Sequence, residues 1–282
     1  MHGRRVFSRQ TDAAFLSALL FFSILSVPAW ASSGITAKAA LVQRLDGDTI
    51  ILSQERNLRL RAASTVKVLS AVIAIERLDL DQDVVISARA AGIAPSKAYL
   101  TQGATYKVRD LLKAFLMSSA NDAGVALAEA VAGTEIQFAE LMNERARQLG
   151  AKDSLFLNAT GLPEGKRKQY STVHDLALFM KKLSTFPFLG EIISTKQDVI
   201  CGSDGKKIYL KNHNKMLGKE GNTLVGKTGY TIAARHCFLG IFRQGKHRYI
   251  VAIQGSAKPW ADLSTLMRKT GKPASTKKKS EE

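Results

Sequence analysis

"RAASTVKVLSAVIAIERL", residues Arg61 to Leu78, places a lysine on the apolar side of a helix. Val66, Leu69, Val72, Ile73 and Ile75 recur at helical spacing and mark an element that is largely buried. Lys67 stands one turn after Ser64 and shares its face. Two readings are open. Either Ser64 caps the helix and Lys67 reaches solvent from the first turn, or the pair does chemistry. A lone S-x-x-K is common by chance in a chain this long, so the rest of the sequence has to decide.

The N-terminal stretch "MHGRRVFSRQTDAAFLSALLFFSILSVPAWASSG" has a basic start at Arg4, Arg5 and Arg9. An apolar run from Ala13 to Val27 follows, interrupted only by Ser17, Ser23 and Ser26, and "AWA" ends at Ala31. The pattern predicts a secretory signal peptide over residues 1–31 and export to the periplasm or cell wall. A retained membrane anchor is the alternative, although the run is short for a span. No later segment is long and apolar enough to cross a bilayer.

The remaining roughly 250 residues suit one large domain, expected over 32–268 with a helical lobe at about 84–185. A polar, basic tail at 269–282, "KTGKPASTKKKSEE", reads as disordered. The formal charge is +17; removing Arg4, Arg5, Arg9 and Asp12 with the leader leaves +15. Such a surface attracts polyanions, which for an exported protein means anionic lipid heads, wall polymers or envelope glycolipids. Nucleic acid is not expected as a partner, because zinc-finger spacing, an RNP motif and a glycine-rich phosphate loop are all missing. No cofactor or metal is expected either: His174, His213, His236 and His247 are scattered without ligand spacing. Cys201 and Cys237 are 36 positions apart and give no disulfide framework. Cys237, within "HCFLGIF", reads as a packed core thiol, and a bridge to Cys201 is the other reading.

"KAALVQRLDGDTIILSQ" reads as a hairpin turning at Asp46-Gly47. Gly92, Pro95 and Gly103 break the stretch after a short strand at Val84 to Ile86. "KVRDLLKAFLMSS" is an amphipathic helix that stops at "SSANDAG". "VALAEAVAG", Thr134 to Gly150 and "TVHDLALFMKKL" supply three more helices, the first ending at Gly133. The pattern then changes to β-rich runs, "TLVGKTGYT", "CFLGIFRQ" and "RYIVAIQGS", before a last helix from about Trp260 to Lys269. Strands at both ends with helices between them predict an α+β domain with an inserted helical lobe.

Two distant stretches answer the question posed by Lys67. One is "SAN", Ser119 to Asn121, between two apolar helices; the other is "KTG", Lys227 to Gly229, in a β-rich run. S-x-x-K, S-x-N and K-T-G in this order form the motif set of class A β-lactamases and penicillin-binding proteins. With "LMSSANDAGVALAEAVAG", "LNATGLPEG" and "VGKTGYTIAARHC", the chain resembles the serine D-alanyl-D-alanine carboxypeptidase/endopeptidase family over about Thr36 to Met267. The resemblance implies a five-stranded antiparallel sheet flanked by helices, with an inserted helical subdomain and the active site between them. It also implies peptidoglycan stem peptides as substrates and β-lactams as covalent inhibitors.

The chemistry accounts for the residue types. Ser64 needs a base to become a nucleophile, and Lys67 can serve if it is neutral. Burial and a second cation, Lys227, would depress its pKa. Asn121 can accept from Lys67 and offer its amide to the substrate, while Ser119 bridges the two lysines and relays a proton to the leaving amine. Lys227 and Thr228 present charge and hydroxyl to the substrate, and Gly229 lets it approach the strand. The resemblance further implies an oxyanion hole made of the backbone N–H groups of Ser64 and Tyr230.

The sequence also departs from the family. Ala62 replaces the usual proline, and Arg235 stands where glycine is usual. Arg235 reads either as a solvent-facing cation or as a contact for an acidic stem peptide. His236 beside it reads as a structural hydrogen-bonder, and Tyr99 and Asn212 to Asn214 are candidate cleft residues. Asp262 falls near the position where carboxypeptidases of the family often carry an arginine for the terminal carboxylate. The short length, "RHC" and "AD-x-S-x-L" look more like the endopeptidase branch, whereas the commonest activity of the family favours terminal D-Ala removal. A serine β-lactamase would need a deacylating glutamate that no separate motif supplies. A silent wall-binding protein would not need the full set of site residues.

Overall fold

The computed structural model describes residues 34–218 and 224–270. The expected signal peptide and nearly all of the expected tail lie outside the described residues. The strands are β1 (Ala39–Arg44), β2 (Ile50–Gln54), β3 (Asp83–Val85), β4 (Thr105–Lys107), β5 (Gln197–Cys201), β6 (Lys207–Lys211), β7 (Val225–Thr231), β8 (Arg235–Gln244) and β9 (His247–Ser256). The helices are α1 (Lys67–Arg77), α2 (Ala88–Gly92), α3 (Val108–Met117), α4 (Asn121–Ala132), α5 (Glu135–Gln148), α6 (Val173–Leu183), α7 (Pro187–Ser194) and α8 (Pro259–Thr270).

Strands β2-β1-β9-β8-β7 form a five-stranded antiparallel sheet, joining the first hairpin to the C-terminal meander as expected. The sheet is buried on both faces, and its side chains divide by the period-two rule. Leu41, Leu239, Ile250 and Ala252 enter the larger core shared with the helices, while Ala40, Val42, Phe238, Val251 and Ile253 enter a smaller one with Leu263 and Leu266 of α8. Helix α6 packs on β1 and β9 from the larger side and on α1 beyond it. Helices α3, α4 and α5 continue this core away from the sheet. The α+β sheet-and-helix architecture inferred from sequence is therefore present.

Three local differences stand out. The helix read from Arg61 begins later: Ala63–Val66 is a single 3-10 turn, and α1 proper starts at Lys67. Helix α8 runs to Thr270, so Lys269 and Thr270 belong to it rather than to the tail. The sequence reading also passed over helix α7 and the hairpin β5–β6. Among the described residues no helix is long and apolar enough to cross a membrane.

Candidate active site

The 3-10 turn presents Ser64 at the edge of the sheet, against β7. Ala63, just before it, has a positive φ of 47°, and Thr65 Oγ1 donates to the Ala62 carbonyl at 2.7 Å, holding the turn. Two glycines make room for it. A Cβ on Gly229 would stand 3.0 Å from the Ser64 nitrogen, and one on Gly161 would strike the Ala63 carbonyl oxygen. Gly229 thus lets the Ser64 backbone lie against β7, a different close approach from the substrate contact expected. Gly161, with φ of +83°, closes a loop organised by Asn158 Oδ1, which accepts from Gly161 N at 2.8 Å and Thr160 N at 3.2 Å.

Lys67 is completely buried on the first turn of α1. Its Nζ lies 3.2 Å from Ser64 Oγ, 2.6 Å from Asn121 Oδ1 and 2.9 Å from the Thr160 carbonyl oxygen. The orientation of the Asn121 amide follows from its other end, where Nδ2 donates to the Ala94 carbonyl at 2.8 Å. Carbonyl oxygens only accept. A neutral lysine therefore donates its two protons to Asn121 and Thr160 and keeps its lone pair for the hydroxyl proton of Ser64. Burial, reinforced by Lys227, lowers the Lys67 pKa well below its ordinary value, against a smaller opposing pull from Asp122 and Glu135. The Phe115 ring centroid is 5.3 Å away and supplies part of the apolar wall.

Lys227 is also fully buried, and burial brings its pKa down to about 7. Its Nζ donates to the Thr228 carbonyl at 3.0 Å. Ser119 follows α3 in a left-handed conformation, φ 58°, which turns it into the cleft opposite Ser64. Among the described residues its hydroxyl bonds neither lysine, so the expected bridge is not made in this state. The Asn121 amide places one of its two protons on the Ala94 carbonyl.

The cleft has a volume of about 310 Å³, and Ser64, Ser119, His213, Thr228, Gly229 and Tyr230 line it. Of the "NHN" stretch His213 faces it, whereas Asn214 is buried and donates to the Leu224 carbonyl at 2.9 Å. Partial desolvation of the ring against the cleft wall, then Lys227 and Lys67, lower the His213 pKa to about 4, which keeps the imidazole neutral. The exposed Tyr230 ring lies against His236 at a tilt of 37° with centroids 4.6 Å apart, and both line a neighbouring recess with Arg235. Tyr99 is exposed on the loop whose amides, Ala98 N and Leu100 N, donate to buried Asp122 at 3.0 and 3.1 Å.

Asp262 is not a cleft residue. It is 2% exposed and accepts from Thr36 N at 2.9 Å, Thr36 Oγ1 at 2.8 Å and Ser256 Oγ at 2.6 Å, tying α8 to β9 and to the segment before β1. Its carboxylate therefore does not face a substrate carboxylate in the cleft. Cys201 is exposed and Cys237 buried, and both are free thiols. Sequence reasoning missed Thr160 and Asp122. A backbone acceptor has no residue-type signature, but the quoted "NATG" and "SAND" runs did contain both.

A serine hydroxyl hydrogen-bonded to a buried lysine at the edge of an antiparallel sheet is the arrangement that serine–lysine acyl transfer requires. Residues 26–257 match the profile of the peptidase S11 family, D-alanyl-D-alanine carboxypeptidase, and the chain belongs to that family. It is similar to the D-alanyl-D-alanine carboxypeptidase DacF of Bacillus subtilis, 31% identical over 79% of this chain and 58% of that protein. It is also 28% identical to the D-alanyl-D-alanine endopeptidase of Escherichia coli, over 73% of this chain and 66% of that one. The chain thus spans somewhat under two thirds of either relative. Penicillin-binding protein D2 from Listeria monocytogenes, solved in its ampicillin-bound form, superposes with a TM-score of 0.75 at 29% identity, covering 84% of this chain and 98% of that one.

Proposed function

We propose that this protein is a penicillin-sensitive serine DD-peptidase of peptidoglycan stem peptides, removing the terminal D-Ala through an acyl-enzyme on Ser64. The observation that carries the reading is the 3.2 Å contact from buried Lys67 Nζ to Ser64 Oγ. Lys67 takes the hydroxyl proton as Ser64 Oγ bonds to the carbonyl carbon of the penultimate D-Ala. The backbone N–H groups of Ser64 and Tyr230 hold the oxyanion that forms. The C–N bond then breaks as the proton held by Lys67 passes through the Ser119 hydroxyl to the departing D-Ala amine, and water hydrolyses the ester. Lys227, Thr228 and Asn121 position the peptide.

Relatives named carboxypeptidase and endopeptidase share these steps. Two features support the carboxypeptidase: Asp262 is turned away from the cleft, and Lys215 in the cleft and Arg235 in the recess beside it supply cations. Cleavage of D-Ala cross-links is the second reading, supported by the endopeptidase relative. Export after removal of residues 1–31 and loose attachment to anionic envelope surfaces belong to the same proposal, supported by the leader pattern and the +17 charge. Purified protein would be incubated with uncross-linked pentapeptide muropeptides and with cross-linked dimers. Free D-Ala from the former is expected. Dimer cleavage without D-Ala release would replace the carboxypeptidase with the endopeptidase.

A further inference from the structure

The hairpin β5–β6 leads into the cleft and has one face in water. Along its second strand and the chain that follows, Lys207, Tyr209, Lys211, His213 and Lys215 are exposed, while Ile208, Leu210 and Asn214 between them are buried. Tyr209 is 79% exposed and pairs across the hairpin with Val199, itself 43% exposed. None of Lys207, Lys211 and Lys215 forms an ion pair with a described residue. Asp198 faces the other way and pairs with Lys113 at 3.0 Å, and Asp204 sits in the turn, accepting from Lys206 N at 3.1 Å. The strand end is fastened beside Ser119: Lys211 N donates to Ser118 Oγ at 3.2 Å, and His213 N to the Met117 carbonyl at 3.2 Å. His213 and Lys215 then line the cleft itself.

We propose that this alternating stripe is an extended subsite for a carboxylate-bearing glycopeptide polymer, so that the protein engages wall strands and not only their peptide termini. The inference rests on the peptidase reading for the identity of the polymer. Unpaired lysines match carboxylates of stem peptides, and an exposed aromatic ring offers an apolar face to a sugar. The stripe reaches no more than about 28 Å, several times the length of a D-Ala-D-Ala terminus. A membrane would also accept lysines and a tyrosine, but continuity with the cleft favours the polymer that the cleft cuts.

Sedimentation with purified sacculi tests this without turnover, in a Ser64→Ala background. Adding Lys207→Gln and Tyr209→Ser should weaken binding on the order of tenfold. In the Ser64 background the same pair should leave the rate of acylation by a fluorescent penicillin unchanged. Unchanged sedimentation would overturn the proposal, as would no binding of sacculi by the parent protein. Loss of binding to phosphatidylglycerol vesicles with sacculus binding intact would assign the stripe to membranes instead. An equal loss of acylation would show that the pair acts through the cleft. Failure of the parent protein to be acylated would count against the peptidase reading alone.

Discussion

Replacing Asn121 with Asp keeps the size of the side chain and puts a negative charge where Oδ1 now lies, 2.6 Å from Lys67 Nζ. Coulomb attraction at that distance is about 6 kcal/mol at an effective dielectric of about 20. Screening and relaxation around the new carboxylate reduce that attraction by about half. A net effect of roughly 3 kcal/mol, or about two pKa units, remains, within the range for a close opposite charge. The sign is upward, since an anion favours the charged ammonium. Lys67 would then hold its proton at pH values where it is now free. Below both pKa values the neutral fraction, and with it the acylation rate, should drop ~100-fold, then recover as pH rises. The assay is the second-order rate of acylation by a fluorescent penicillin from roughly pH 5 to 10, with a melting curve to check the lost Ala94 hydrogen bond. An Asn121→Asp profile that rises at the same pH as the parent would refute control by the Lys67 proton. A uniform loss at every pH would instead give Asn121 a substrate-holding role.

Gly229→Ala puts a methyl 3.0 Å from the Ser64 nitrogen and should slow acylation about tenfold or more by shifting the nucleophile, because positioning errors well under an ångström or so are costly. Stopped-flow acylation reads it, and an unchanged rate would deny the close fit. Asp262→Asn should behave oppositely: weakening three hydrogen bonds in a buried site costs about 1–3 kcal/mol of stability. It should lower Tm by several degrees yet leave the acylation rate alone; a large loss of D-Ala release would return Asp262 to the cleft. A thiol reagent should modify Cys201 in the folded protein and Cys237 only after unfolding, since burial raises the Cys237 pKa to about 12. Two equivalents reacting at once under native conditions would contradict that burial.

The five strands of the main sheet were legible because each alternates or runs apolar between turn residues, and the long helices because their apolar faces recur at 3.6. Hairpin β5–β6 was not, for a physical reason: its outer face carries lysines and a tyrosine in water, so Ile200, Ile208 and Leu210 alone mark the buried side. Helix α7 is short, with Pro187 at its start and Gly190 inside, and reads like a loop. In the site, the residue types that chemistry needs could be picked out, but their partners could not. Thr160 contributes only a carbonyl, which every residue has. The orientation of Asp262 was not legible, because nothing in the sequence sets which side of α8 it takes and its partner Thr36 is 226 positions away.

The central claim is that Ser64 becomes acylated because Lys67, buried and neutral, takes its proton. Mass spectrometry of the protein after reaction with a fluorescent penicillin tests it most directly. One adduct on Ser64 is expected, with no adduct in Ser64→Ala or in Lys67→Arg, whose guanidinium stays charged. An adduct on any other residue, or labelling of Ser64→Ala at the parent rate, would contradict it.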